Sequence, residues 1–137
     1  MVNFFNSTNA PKPVGLYPHS KRVGNLLFLS GVGPRKRGET KIPGVVLGEG
    51  GEVLEYDIEK QCVSVFENIK IILNDSGSCW DNIVDVTTFL TNMKRDFDVY
   101  NDLYALHFRR PFPTRTTIEV GSLPTPIAIE LKVIATI

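Results

Sequence analysis

The chain has 137 residues, 42% of them hydrophobic and 22% charged, which fits a single globular domain over residues 1–137 and is too apolar for disorder. Its 15 Lys and Arg balance 15 Asp and Glu, so no general attraction to nucleic acid or to an anionic membrane is expected. Two cysteines without a CxxC pair (Cys62, Cys79) and two isolated histidines (His19, His107) argue against a disulfide framework and a zinc site.

In chain order, residues 2–7 are apolar and β-capable, an expected opening strand; there is no basic start followed by a long apolar run. Residues 9–18 carry Pro11, Pro13, Gly15 and Pro18 and are expected to be loop. Residues 23–30 (VGNLLFLS) read as one strand, closed by Gly31 and Pro34. Residues 35–56 are rich in glycine and form a long connection, with residues 45–47 as a short strand or bulge. Connections of this length inside a compact domain are often functional. Their basic cluster, Arg35, Lys36 and Arg37, reads either as a solvated loop or as an attractor of an anionic substrate.

Residues 57–75 are the clearest helix. Ile58, Cys62, Val65, Phe66, Ile69, Ile72 and Leu73 fall on one stripe, with Asp57 as N-cap and Gly77 as stop. Cys62 on that stripe is core rather than nucleophile. Residues 78–81 have the S-x-x-D form of a capping box opening a short turn, with Trp80 plugging the core. Residues 83–90 (IVDVTTFL) form a strand. Residues 96–108 form a second helix that aligns Phe97, Tyr100, Tyr104 and Phe108 and ends before Pro111 and Pro113; His107, late in it, reads as structural or exposed. Residues 115–120 alternate, with Arg115 and Thr117 on one side. Residues 127–137 alternate too, with Glu130 on the more polar side.

This order gives an α+β domain, a mixed sheet with two helices packed on one face. The other face is only partly apolar, and such a face is commonly buried in an oligomer. No apolar stretch approaches the roughly 18 residues that cross a bilayer, so a soluble, cytoplasmic protein that engages no membrane is expected.

The strongest chemical feature is Arg115 beside Thr117, with Glu130 on a later strand. A strand-borne Arg can clamp a carboxylate through two parallel hydrogen bonds, and a strand-borne Glu can orient a water or take its proton. The same residues also read as a cross-strand ion pair that only tunes the sheet surface.

Phe112, Pro113, Thr114, Arg115 and Thr116, followed by Val120, Leu123 and Pro124, resemble the F-P-x-R-[ST]-x-x-x-V-x-x-L-P signature of the Rid (YjgF-type reactive intermediate deaminase) family. Ile129, Glu130, Leu131 and Ala135 match its I-E-[IL]-x-x-[IV]-A ending. Asn9, Ala10, Pro11, Gly15 and Tyr17 match its opening segment, Leu29, Ser30 and Gly31 its [ILV]-S-G, and Glu67, Asn68 and Ile69 its first-helix motif. The ordered matches run through nearly the whole chain.

The resemblance implies a chorismate-mutase-like fold and a homotrimer with active sites between subunits. It implies hydrolysis of an enamine or imine carboxylate to ketone and ammonia, without metal or organic cofactor. It assigns the substrate carboxylate to Arg115, the attacking water to Glu130, pocket lining to Tyr17, and backbone groups near the imine nitrogen to Ser30 and Gly31. Thr117 stands where the best-known branch has a Cys. His19, two residues after Tyr17, is expected to reach the same cleft.

The long 31–56 connection is similar to that of the 2-aminomuconate deaminase branch, whose substrate is a six-carbon dicarboxylate released as 4-oxalocrotonate. A second carboxylate asks for a second cation; Lys21, Arg22, Arg35, Lys36, Arg37, Arg109, Arg110 and His19 stand as candidates. The alternatives are a general 2-aminoacrylate or 2-imino acid deaminase, a non-catalytic trimeric ligand binder, and an RNA-acting protein, the last disfavoured by zero net charge.

Overall fold

The computed structural model describes residues 2–137. Its main sheet has six strands in the order β1-β2-β3-β8-β6-β7: β1 (Val2–Phe5), β2 (Ser20–Val23), β3 (Leu26–Leu29), β8 (Ile129–Thr136), β6 (Ile83–Leu90) and β7 (Thr114–Glu119). Every neighbouring pair is antiparallel except β6 and β7. Helices α1 (Ile58–Asp75) and α2 (Met93–His107) cover one face, and β4 (Val45–Leu47) pairs with β5 (Val53–Tyr56) as a separate hairpin. The expected α+β architecture is therefore present, and α2 is the crossover that a parallel β6–β7 pair requires.

The core lies between helices and sheet. Leu27 and Leu29 of β3, Val86 and Leu90 of β6, and Leu131 and Val133 of β8 are fully buried against Cys62, Val65, Ile69 and Leu73 of α1. Burial pushes the Cys62 thiol up to about 12, so it is an inert core group. At one end Phe66 meets Trp80, His107 and Phe108 at centroid distances of 5.4, 4.9 and 5.8 Å. Trp80 donates its indole N–H to the His107 carbonyl at 2.9 Å. Asp57 caps α1 by accepting from the Lys60 amide, and Gly77 follows with φ 84°.

Four local expectations are corrected. Residues 23–30 are not one strand: Gly24 (φ 60°) and Asn25 turn the chain, so β2 and β3 form a hairpin inside what looks like a continuous apolar run. The S-x-x-D segment does not close a capping box. The Ser78 hydroxyl donates instead to the Thr136 carbonyl at 2.7 Å, and the 3-10 turn at Trp80–Asn82 has no side-chain cap. Helix α2 starts at Met93 rather than Asp96, because Asn92 accepts from the Arg95 amide and adds a turn. Arg115 and Glu130 form no cross-strand pair. The register matches Arg115 to Val86 and Glu130 to Phe89, which puts them on opposite faces, since buried Val86 and Val133 share the helix side with Arg115.

Candidate active site

On the face away from the helices, an open cleft of about 340 Å³ is lined by Tyr17, Ser30, Gly31, Arg35, Pro124 and Glu130, among others. A narrow pocket continues from it past Pro11, Pro13 and His19. The cleft is made by chain crossing, not by one element. After β3, Val32 exchanges backbone bonds with Leu131 of β8 (2.8 and 3.0 Å), which lays Gly31 directly against Glu130. The approach is so close that a Cβ on Gly31 would stand 2.6 Å from Glu130 Oε2 and 2.9 Å from its Cδ.

Glu130 is half-buried. Burial raises its carboxyl above the ordinary range, and the Arg35 charge partly opposes the rise. A carboxylate raised in this way holds a proton more readily than an exposed one, which suits a group that takes a proton from water. Ser30 is locked in place: its amide donates to the His19 carbonyl at 3.1 Å and its hydroxyl to the Pro18 carbonyl at 2.8 Å. The Tyr17 hydroxyl accepts from the Val14 amide at 3.2 Å, folding the 14–17 loop onto the ring.

His19 is buried and its ring nitrogens are both engaged. Nδ1 accepts from the Ser7 amide at 3.0 Å, and Nε2 bonds the Pro11 carbonyl at 2.6 Å, which fixes the neutral Nε2–H tautomer. His19 thus reaches the narrow pocket as a strut for the 7–11 segment, not as a free ligand.

Arg115 and Thr117 lie elsewhere, on the helix side of edge strand β7, both half-buried. The Arg115 guanidinium donates to Asn101 Oδ1 of α2 at 2.8 Å. It lies 5.9, 5.3 and 4.6 Å from the ring centroids of Phe97, Tyr100 and Tyr104. The Tyr104 hydroxyl is buried with no hydrogen-bond partner among the described residues. Arg115 is therefore pre-aimed, anchored through one nitrogen on a bed of aromatic faces.

The expected residues thus separate into two groups. Tyr17, Ser30, Gly31 and Glu130 come together in the cleft; Arg115 and Thr117 come together on the other face. Asn101, which holds Arg115, was missed by the sequence reading. Its only signal is its place on α2, one turn after Phe97 and just before Tyr104. Among the described residues, no cluster of His, Cys, Asp and Glu could hold a metal ion, and no helix is long and apolar enough to cross a membrane.

The profile of the family described as endoribonuclease L-PSP matches residues 7–137 of the chain. The chain is 36% identical over 126 residues to a RutC family protein of Pyrococcus abyssi, covering 92% of this chain and 90% of that one. It is 31% identical over 129 residues to the 2-iminobutanoate/2-iminopropanoate deaminase of Dermatophagoides farinae, covering 93% and 91%. Among solved structures, yeast Mmf1 superposes with a TM-score of 0.83 at 32% identity, over 99% of this chain and 98% of that one.

Proposed function

The chain belongs to the endoribonuclease L-PSP family, the Rid or YjgF family, and on that premise we propose that it is a hydrolytic deaminase of 2-imino acids whose active sites each join Glu130 of one copy to Arg115 of another in a homotrimer. One observation carries this reading. The two groups best suited to the chemistry stand on opposite faces of one sheet, each in a built environment and neither able to serve the other within a single chain. A sheet face with exposed Phe4, Val23 and Leu26 is the kind of surface that a closed ring buries.

The chemistry needs positioning more than force. An enamine substrate first tautomerises to its imine, a proton passing from nitrogen to carbon overall. Arg115 takes the substrate carboxylate through paired hydrogen bonds, with the Thr117 hydroxyl two residues away on the same side. Glu130 orients a water and takes its proton as the C–O bond forms and the C=N electron pair moves onto nitrogen. The carbinolamine then collapses. Glu130 hands the water proton to its nitrogen, and the hydroxyl proton follows by the same route as the C–N bond breaks, so that ammonia leaves and the ketone forms. One water is consumed, one ammonia is released, and nothing is oxidised. The chain's own side chains supply each of these roles, so no cofactor enters the scheme.

We propose 2-aminomuconate as the substrate, giving 4-oxalocrotonate, on the strength of the long connection between Gly31 and Tyr56. A general 2-imino acid deaminase is the second reading, favoured by the name of the Dermatophagoides farinae relative. Relative turnover of 2-aminomuconate and 2-iminobutanoate decides between them.

The shared site is tested by mixing two inactive variants, Arg115→Ala and Glu130→Gln. Dissociated and reassembled together, they regain activity, because some interfaces then pair an intact Glu130 with an intact Arg115. Mixed oligomers that stay inactive, or a fully active monomer, would refute the shared site.

A further inference from the structure

We propose that Arg35 is the second carboxylate-binding group of this cleft, which makes the site selective for 2-imino dicarboxylates over monocarboxylates; this rests on the imine deaminase reading above. Of the candidate cations, Arg35 is the one that lines both the wide cleft with Glu130 and the narrow pocket behind it.

The others are engaged elsewhere. Lys36 bonds Glu67 and Asn68 of α1 at 2.9 and 3.3 Å, and Arg37 donates to the Ser7 and Ala10 carbonyls. Arg22 donates to Gly24 in the β2–β3 hairpin, Lys21 lies over the Phe4 ring, Arg109 pairs with Asp81, and Arg110 lies over the Phe112 ring. His19 is the strut described above.

Arg35 is placed by its neighbours and left uncompensated. It is half-buried. Its Nη2 donates to the Lys12 carbonyl at 2.8 Å, which fixes the guanidinium on the cleft wall. Among the described residues no carboxylate lies within 4.0 Å of it. Lys36 and Arg37, the next two residues, tie the chain just after Arg35 to α1 and to the 7–10 segment. A guanidinium has five N–H donors in a fixed fork. With one donated to Lys12, the fork retains donors for a second carboxylate. Its charge reaches Glu130 without pairing with it, so Glu130 stays available to water. A substrate held by Arg115 of a neighbouring copy at one end and by Arg35 at the other would span the imine carbon above Glu130. The cleft volume falls in the range of small-ligand sites.

The test compares two keto acids of equal length that differ in the terminal group, 2-oxoadipate and 2-oxohexanoate. Calorimetric titration of the assembled wild-type protein is expected to show tighter binding of 2-oxoadipate. In Arg35→Gln that preference falls roughly 10- to 100-fold, the worth of a charge-assisted hydrogen bond, and Arg35→Lys recovers part of it. Equal weakening of both ligands would mean that Arg35 only anchors the Lys12 loop, and would overturn the proposal. So would a wild type with no preference. Turnover is measured separately, on the imines that an amino-acid oxidase generates from 2-aminoadipate and 2-aminohexanoate. Failure of wild type to hydrolyse either imine would count against the deaminase reading while leaving the binding comparison to judge Arg35.

Discussion

Replacing Gly31 by alanine would test the central geometry with a single methyl group. An ideal Cβ at Gly31 falls 2.6 Å from Glu130 Oε2 and 2.9 Å from Cδ, whereas ordinary carbon contacts begin near 3.5 Å. The carboxylate must retreat by roughly 0.6–0.9 Å to reach ordinary contact, and it can, because the clash is with the far end of a flexible side chain. Gly31 has no positive φ, so the backbone accepts alanine, and the unfolded chain loses some freedom. Stability should then change by less than about 1 kcal/mol. Catalysis should not escape: a misplacement of about 1 Å can cost ~100-fold, so kcat/KM for imine hydrolysis should fall by roughly 30- to 100-fold. The assay follows release of 2-oxo acid and ammonia from an imine generated in situ, with thermal unfolding measured alongside. Activity within twofold of wild type would refute the claim that the position of Glu130 against Gly31 matters. A large loss of stability would show that the backbone, not the side chain, absorbs the clash.

Three further outcomes are expected. Asn101→Ala frees the Arg115 guanidinium from its 2.8 Å anchor; KM should rise roughly tenfold, the worth of one charge-assisted bond, with the unfolding midpoint little changed. Because burial raises the Glu130 carboxyl, kcat/KM should fall as pH drops, with its inflection above the ordinary carboxylate range. The charged groups near Glu130 are Arg35 in the cleft and Lys132 on the same strand face, the latter held by the Leu29 carbonyl at 2.9 Å. Arg35 opposes the rise, so Arg35→Gln should move the inflection to still higher pH, and an unmoved or lowered inflection would contradict the assignment. Phe66→Ala empties the aromatic cluster between α1 and α2 and should cost ~3–5 kcal/mol in denaturant unfolding, since Phe66 is 1% exposed.

Much of the fold was legible because its elements carry strong periodic signals. The stripe from Ile58 to Leu73, capped by Asp57, gave α1 almost to the residue, and alternation gave β7 and β8. The β2–β3 hairpin was not legible as an apolar pattern, because Gly24 and Asn25 interrupt the run without adding a polar stretch. The site was legible as residue types and not as an arrangement. Arg115 and Glu130 both stood out, yet only the register decides which face each takes, and register is fixed by pairing across the sheet. Asn101 escaped for the same reason, and Arg35 stood only as one candidate cation among several. One is defined by how α2 lies on β7, the other by where a long connection passes over β8, and neither relation leaves a local trace in sequence.

The cleft wall and the cleft floor differ in how they are held. Gly31 and Glu130 belong to backbone tied into the sheet ladder. The facing wall, residues 7–17, has no helix or strand and hangs on side-chain bonds: Ser7 to Asp75, the Ser7 amide to His19, and Arg37 to the Ser7 and Ala10 carbonyls. In hydrogen exchange the wall amides should therefore open at far lower free energy than those of β8. On the proposed deaminase reading, substrate entry and ammonia release would need only the wall to loosen, leaving the surface that carries Glu130 in place.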